Sequence, residues 1–155
     1  MIYYGCDIPE ELYYHLEYDT WVRFEDDGQA TLGMTDVAQT ASGKLLQIRF
    51  KAVGSKIKAG RSGATIESAK WVGPFRLPFE AEVVATNEAS FKKDLLIANR
   101  DPYGQGWLLK VRPLQPDIAR QDLLSGPEAA PYFQQRIEEH NIRCFRCVDE
   151  PRPSE

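Results

Sequence analysis

The sequence predicts an α+β domain that is mainly β, a small sandwich or flattened barrel with helices behind it. Three observations carry that prediction. Between residues 20 and 112, short runs alternate apolar and polar side chains, the period-two signature of half-buried strands. Clusters of Gly, Pro, Asn and Asp divide those runs at short intervals, as turns do. After Pro113 the composition shifts and two helices are expected.

Taken in order, Pro9 and the acids after it are expected to open a short helix over residues 9–14. Residues 20–25 and 29–34 read as strands joined by the turn Asp26-Asp27-Gly28, a hairpin. Thr35-Asp36 suits the cap of a short helix through Gln39, closed by Ser42-Gly43. Residues 44–50 form the next strand, and residues 56–58 a short edge strand after the Gly54-Ser55 turn. Ala64, Thr65 and Ile66 then lead into a polar tight turn with Lys70 at its tip, and Gly73-Pro74 signal a further turn. Residues 79–85 read as a strand. Residues 89–98 read as one helix with Phe91, Leu95 and Leu96 on one side. A turn at Asp101-Pro-Tyr-Gly104 precedes a strand over residues 107–111. The two expected helices span residues 116–124 and 127–140, ended by Ser125-Gly126 and by Asn141, with a short tail element over residues 142–148. The organisation is thus an extension over 1–19, a domain over 20–125, and a C-terminal helix with a cysteine-containing tail over 126–155.

A chain of 155 residues is long enough for one domain with its own core. The longest apolar stretches are a few residues, too short to span a membrane, and the N-terminus has no basic segment followed by an apolar one. Three cysteines, an odd number, do not suggest a disulfide framework, so a reducing cytoplasm is the expected location. The net charge of −4 is unevenly spread. Residues 1–42 hold nine acids against one arginine, a net of −8. Residues 43–112 hold thirteen Lys or Arg against six acids, +7, and the remainder is −3. The basic centre has no clustered Lys/Arg run and no aromatic-basic motif, so an acidic protein or an anionic small molecule is expected rather than nucleic acid.

Lys70 stands clear of the body of the protein in this reading, either as a solvated surface charge or as a handle for covalent modification. His15 and His140 are the only histidines, and no triad pattern surrounds them, so no catalytic residue is assigned. His15 reads as a surface or packing residue. Cys144-Phe-Arg-Cys147 is a C-x-x-C that reads as a redox pair, half a metal site or two unremarkable thiols, with no second C-x-x-C to complete a zinc site. Cys6 is the third thiol. Trp21, Trp107 and Phe79 are expected in the core, and Trp71 either packs, shields a group on the lysine or contacts a partner. Gly54, Gly60, Gly104 and Gly106 are expected at positive φ.

One set of motifs, in one order, resembles a known family: Trp21-Val-Arg, Asp26-Asp-Gly28, Gly33-Met-Thr-Asp36, Ala38-Gln39, Val53-Gly54, Lys58-Ala-Gly60, Glu67-Ser-Ala-Lys70, Val83-Val84, Asn87-Glu88 and Asp101-Pro-Tyr-Gly-Gln-Gly-Trp107. The chain resembles the glycine cleavage system H protein over residues 13–125. That resemblance implies a lipoyl-domain-like hybrid barrel, a carrier and not an enzyme, and covalent lipoic acid on Lys70. Ser68 and Trp71 flank the attachment point, and Glu67 is implied in recognition of the turn by a lipoate-protein ligase or lipoyl transferase. The glycine cleavage P, T and L proteins are the implied partners. A biotin carrier would place Met on both sides of the lysine, where this chain has Ala69 and Trp71.

The departures from the family pattern concentrate on charge. Asp19-Thr20 stands where the family has His-Glu. Lys44, Arg49 and Lys51 stand in a region that is usually acidic, and Arg61 and Arg100 stand where Glu is common. Trp71 and Ala81 replace small residues. A reversed rim around the arm implies different partners. The chain therefore looks more like the lipoate-binding proteins of bacterial sulfur oxidation, which work beside a heterodisulfide-reductase-like complex. Glycine cleavage is the alternative, and an unlipoylated H-like scaffold the second.

Overall fold

A computed structural model describes residues 1–146. The chain runs β1 (Ile2–Tyr3), β2 (Cys6–Asp7), β3 (Tyr13–His15), β4 (Thr20–Phe24), β5 (Ala30–Met34), α1 (Asp36–Ser42), β6 (Leu45–Phe50), β7 (Lys56–Ile57), β8 (Ser62–Ser68) and β9 (Val72–Arg76). It continues through β10 (Ala81–Thr86), α2 (Glu88–Lys93), α3 (Ile97–Arg100), β11 (Leu109–Pro113), β12 (Leu124–Ser125) and α4 (Gly126–Glu139). A seven-stranded sheet has the order β12-β3-β4-β5-β11-β10-β7, and a three-stranded sheet the order β6-β8-β9; β1 and β2 form a separate ribbon. Every pairing is antiparallel.

Alternation along β4 explains the layering. Val22 faces one way, into a core between the sheets that joins Leu32, Val83 and Leu109 to Ile66 and Phe75. Trp21 faces the other way, into a second core with Tyr14, Val37 and the α4 residues Phe133 and Ile137. The Trp21 indole N–H donates to the carbonyl of Pro102 at 2.9 Å, which ties the 101–107 loop to the sheet. A Cβ at Gly33 would lie 2.6 Å from that indole, so only glycine fits beneath it.

Several sequence expectations are corrected. Residues 9–14 form no helix. Leu12 and Tyr14 are buried while Tyr13 and His15 are half-buried, and β3 pairs with β4 and β12. Residues 116–124 also form no α-helix. Their amides bond three residues back in successive turns, because Leu124 and Ser125 must pair with Tyr14 and Tyr13. Ser125 is therefore not a terminator. It is the N-cap of α4, in a capping box with Glu128. The single helix over 89–98 is two, α2 and α3. Asp94 leaves helical geometry and its carboxylate accepts from the Leu96 amide, competing with the helix ladder.

Gly73-Pro74 is no turn either. Both lie in β9, an edge strand, where the missing proline N–H is tolerated. Gly54 and Gly60 have positive φ as expected, but Gly104 and Gly106 do not. A Cβ at Gly106 would lie 2.6 Å from the backbone of Ala98 and Asp101, so close approach selects that glycine. Phe79 and Trp21 are buried, whereas Trp107 is half-buried with Lys110 over its ring.

Candidate functional site

The Lys70 turn is built by Ser68. Strands β8 and β9 pair in register to Glu67 opposite Val72, leaving residues 68–71 to reverse the chain. Ser68 is buried, and its Oγ accepts from the amides of Lys70 (3.3 Å) and Trp71 (3.0 Å) while its hydroxyl donates to the Trp71 carbonyl (3.1 Å). The Ser68 amide also donates to that carbonyl at 2.7 Å. One side chain thus satisfies both donors of the turn, an ST-type closure. The Ala69 amide donates to the Lys44 carbonyl at 3.1 Å, fastening the turn to the start of β6.

Lys70 is exposed at the tip. Its aliphatic stem runs past Gly43, the C-cap of α1 at φ 77°, where a Cβ would sit 3.8 Å from Cδ and Cε. Glu67 and Trp71 are also exposed, Glu67 three residues before the lysine and Trp71 beside it, so the turn brings together the four residues the sequence marks. The Trp71 ring folds back over Gly73, whose absent Cβ would lie 2.2 Å from it.

Beside the lysine lies a groove of about 640 Å³. Met34, Ile66 and Phe75 supply apolar wall, and Glu17, Asp19 and Arg76 polar rim. No local pattern in the sequence joins these to Lys70, because they lie in four separate segments. The positive φ of Asp19 (54°) was equally hidden. The Asp19 carboxylate accepts from the Thr35 hydroxyl at 3.1 Å and from Arg136 at 2.9 Å. Burial raises its pKa, and the Arg136 guanidinium and the Thr35 hydroxyl oppose the rise. His15 stacks on Tyr18 at 3.9 Å, and its Nδ1 accepts from the Tyr18 amide at 3.1 Å. Burial lowers the His15 pKa against the pull of Glu17 and Asp122.

The cysteines differ from expectation. Cys144 is disulfide-bonded to Cys6 across 138 residues of sequence, so the odd count concealed one pair. Cys147 lies outside the described residues, and Cys144 is not a free thiol beside it. Cys6 is fully buried in the second core.

An exposed amine on a hydrogen-bonded turn, with a part-apolar groove alongside, fits a covalently held acyl arm. The glycine cleavage H-protein family model matches residues 12–136. The chain belongs to the glycine cleavage H-protein family. H proteins carry lipoic acid covalently on a lysine and act as carriers, not catalysts. The chain is similar to glycine cleavage system H protein 3 of Aquifex aeolicus, with 44% identity over 94% of this chain and 92% of the relative. Two further Aquifex relatives carry the numbers 2 and 5. A probable glycine cleavage system H protein 2 of Sulfolobus acidocaldarius is 41% identical over 92% and 95% of the two chains. Among solved structures, the crystal structure of a glycine cleavage system H protein from Mycobacterium marinum superposes with a TM-score of 0.68 at 30% identity, covering 87% of this chain and all of that one. Among the described residues no helix is long and apolar enough to cross a membrane.

Proposed function

We propose that this chain carries a lipoyl arm on Lys70 and that its cargo is a sulfur intermediate passed to and from a heterodisulfide-reductase-like complex. The observation that carries the attachment is the lysine itself, exposed on a turn that Ser68 closes. Acylation replaces a cation with a neutral amide, so the arm can lie along the apolar wall of Met34, Ile66 and Phe75 between encounters. The dithiolane then alternates between disulfide and dithiol on the carrier. Tethering raises its effective concentration at each partner's active site. Glu67, exposed on the same hairpin, is the contact for the lipoate-protein ligase or lipoyl transferase.

The sulfur cargo is supported by the charge of the three-stranded sheet that presents the arm. Lys44, Arg49, Lys51 and Arg61 are exposed and basic, at positions where the resemblance to H proteins implies acids. The numbering of relatives in Aquifex aeolicus adds weight, since an organism with several such carriers has work for more than one cargo. The second reading is glycine cleavage, with the P, T and L proteins as partners, and the names of the relatives favour it.

The test begins with intact mass after expression with lipoate and a ligase. Wild type gains one lipoyl group and Lys70→Arg gains none. The loaded protein is then offered to glycine cleavage P, T and L proteins and, separately, to a heterodisulfide-reductase-like complex with a sulfane sulfur donor. Turnover only with the second set supports the sulfur cargo, and turnover only with the first replaces it by the aminomethyl group.

A further inference from the structure

A second groove, of about 690 Å³, lies on the far end of the hairpin from Lys70. Five cations line it: Lys51, Lys56, Lys58, Arg61 and Arg76. No acid is among its lining residues, and among the described residues no carboxylate pairs with any of the five. The chain as a whole is acidic, at −4, so this is not a by-product of basic composition. Five like charges held around one concavity repel one another and focus a positive potential into it, a cost that an anionic occupant removes.

The backbone around the groove is fixed. Lys51 N–H donates to the Gly63 carbonyl (3.0 Å), Gly60 N–H to Leu77 (2.7 Å) and Leu77 N–H to Arg61 (2.9 Å). The Arg76 guanidinium donates to the Gly60 carbonyl at 2.9 Å. Pro74 and Arg76 line this groove and also the one beside Lys70. Strand β9 therefore joins the two, and the four residue steps from Val72 to Arg76 span about 13 Å.

We propose that this basic groove is the docking site for an acidic segment of the partner protein whose active site receives the arm. The proposal rests on the carrier reading and adds where the partner holds on. Several features favour a protein over other anions. The cations come from three separated stretches of chain, and a groove of about 690 Å³ is larger than a single small anion fills. Ile57 and Pro74 add apolar surface. No aromatic ring lines the groove to stack a base. Docking there leaves the arm on Lys70 free to swing, and rim charges of this kind act mainly on association rate and partner choice.

The test uses the full-length, isotope-labelled protein and a short poly-glutamate peptide as the probe, followed by backbone amide NMR. Shifts are expected at residues 51–62 and 74–76. Affinity should fall by about tenfold or more when salt is raised to about half molar. The Lys58→Glu/Arg61→Glu variant should lose the shifts while keeping the thermal midpoint, since both side chains are exposed. Shifts elsewhere, no binding, or binding unchanged in the variant would overturn the proposal. So would equal shifts from inorganic pyrophosphate, tighter binding of duplex DNA, or a concentration-dependent rise in mass showing that a second copy fills the groove. Lipoyl loading of the variant, read by intact mass, is expected to equal wild type. The groove can thus fail with Lys70 still loaded, and loading can fail with the peptide still bound.

Discussion

Ser68 has the largest structural role of the residues around the lysine. Its hydroxyl is the shared partner of two amides and one carbonyl, and the side chain is buried. Ser68→Ala leaves those groups competing for water at a partly enclosed turn and is expected to cost about 1–2 kcal/mol in a denaturant titration. The same variant should slow lipoyl loading without abolishing it, because the attachment amine is present but its turn is less fixed. Loading at wild-type rate would show that the ligase reads only the lysine. His15 gives a pH signature. Its folded pKa lies below the ordinary 6.5, so the native state binds fewer protons than the unfolded chain in that window. Stability is fully present above 6.5 and is lost as pH falls through the lowered folded value. Protonation also removes the Nδ1 lone pair that accepts from Tyr18. In chemical denaturation between pH 7.5 and 5, His15→Gln should show a shallower loss than wild type, and parallel curves would contradict the assignment.

At the scale of elements, what the sequence revealed depended on whether the deciding contact was local. The hairpin of β4 and β5 and the Thr35 cap of α1 are written in adjacent residues, and both form as read. Lys70 at a tight turn was legible for the same reason. The helices expected over 9–14 and 116–124 are absent because β3 and β12 pair with each other across more than a hundred residues, a partnership no window displays. Gly73-Pro74 mimics a turn, but β9 is an edge strand in which a proline without an N–H is tolerated. The groove beside Lys70 and the Cys6–Cys144 bond likewise join distant segments.

That bond anchors the tail over α1, where the Phe145 carbonyl accepts from the Gln39 side-chain amide at 3.0 Å. Gln39 in turn meets Asn99, whose side chain accepts from the Leu45 amide and donates to the Gly43 carbonyl. The tail is therefore linked through buried amides to the start of β6, beside the lysine turn. A loop spanning 138 residues makes reduction expensive for the folded state. Reductant is expected to lower stability by about 2–5 kcal/mol. Unchanged unfolding in protein whose thiols are all alkylated would contradict this.

Over the whole molecule, charge is sorted by segment. The acidic first quarter of the chain, net −8 over residues 1–42, supplies β1 to β5 and α1, while the basic middle, net +7, supplies the three-stranded sheet that presents the lysine. Two cores on opposite faces of the seven-stranded sheet hold that arrangement rigid, one beneath the hairpin and one beneath α4. Such a body has no need of a general base or nucleophile of its own. It needs a stiff platform, a tether and a surface for partners to recognise. The tether is tested most directly by mass mapping of the protein purified from its native host. Peptides containing Lys70 should carry one lipoyl group in amide linkage, with every other lysine free. A bare Lys70 in actively growing cells, or a lipoyl group on a different lysine, would contradict it.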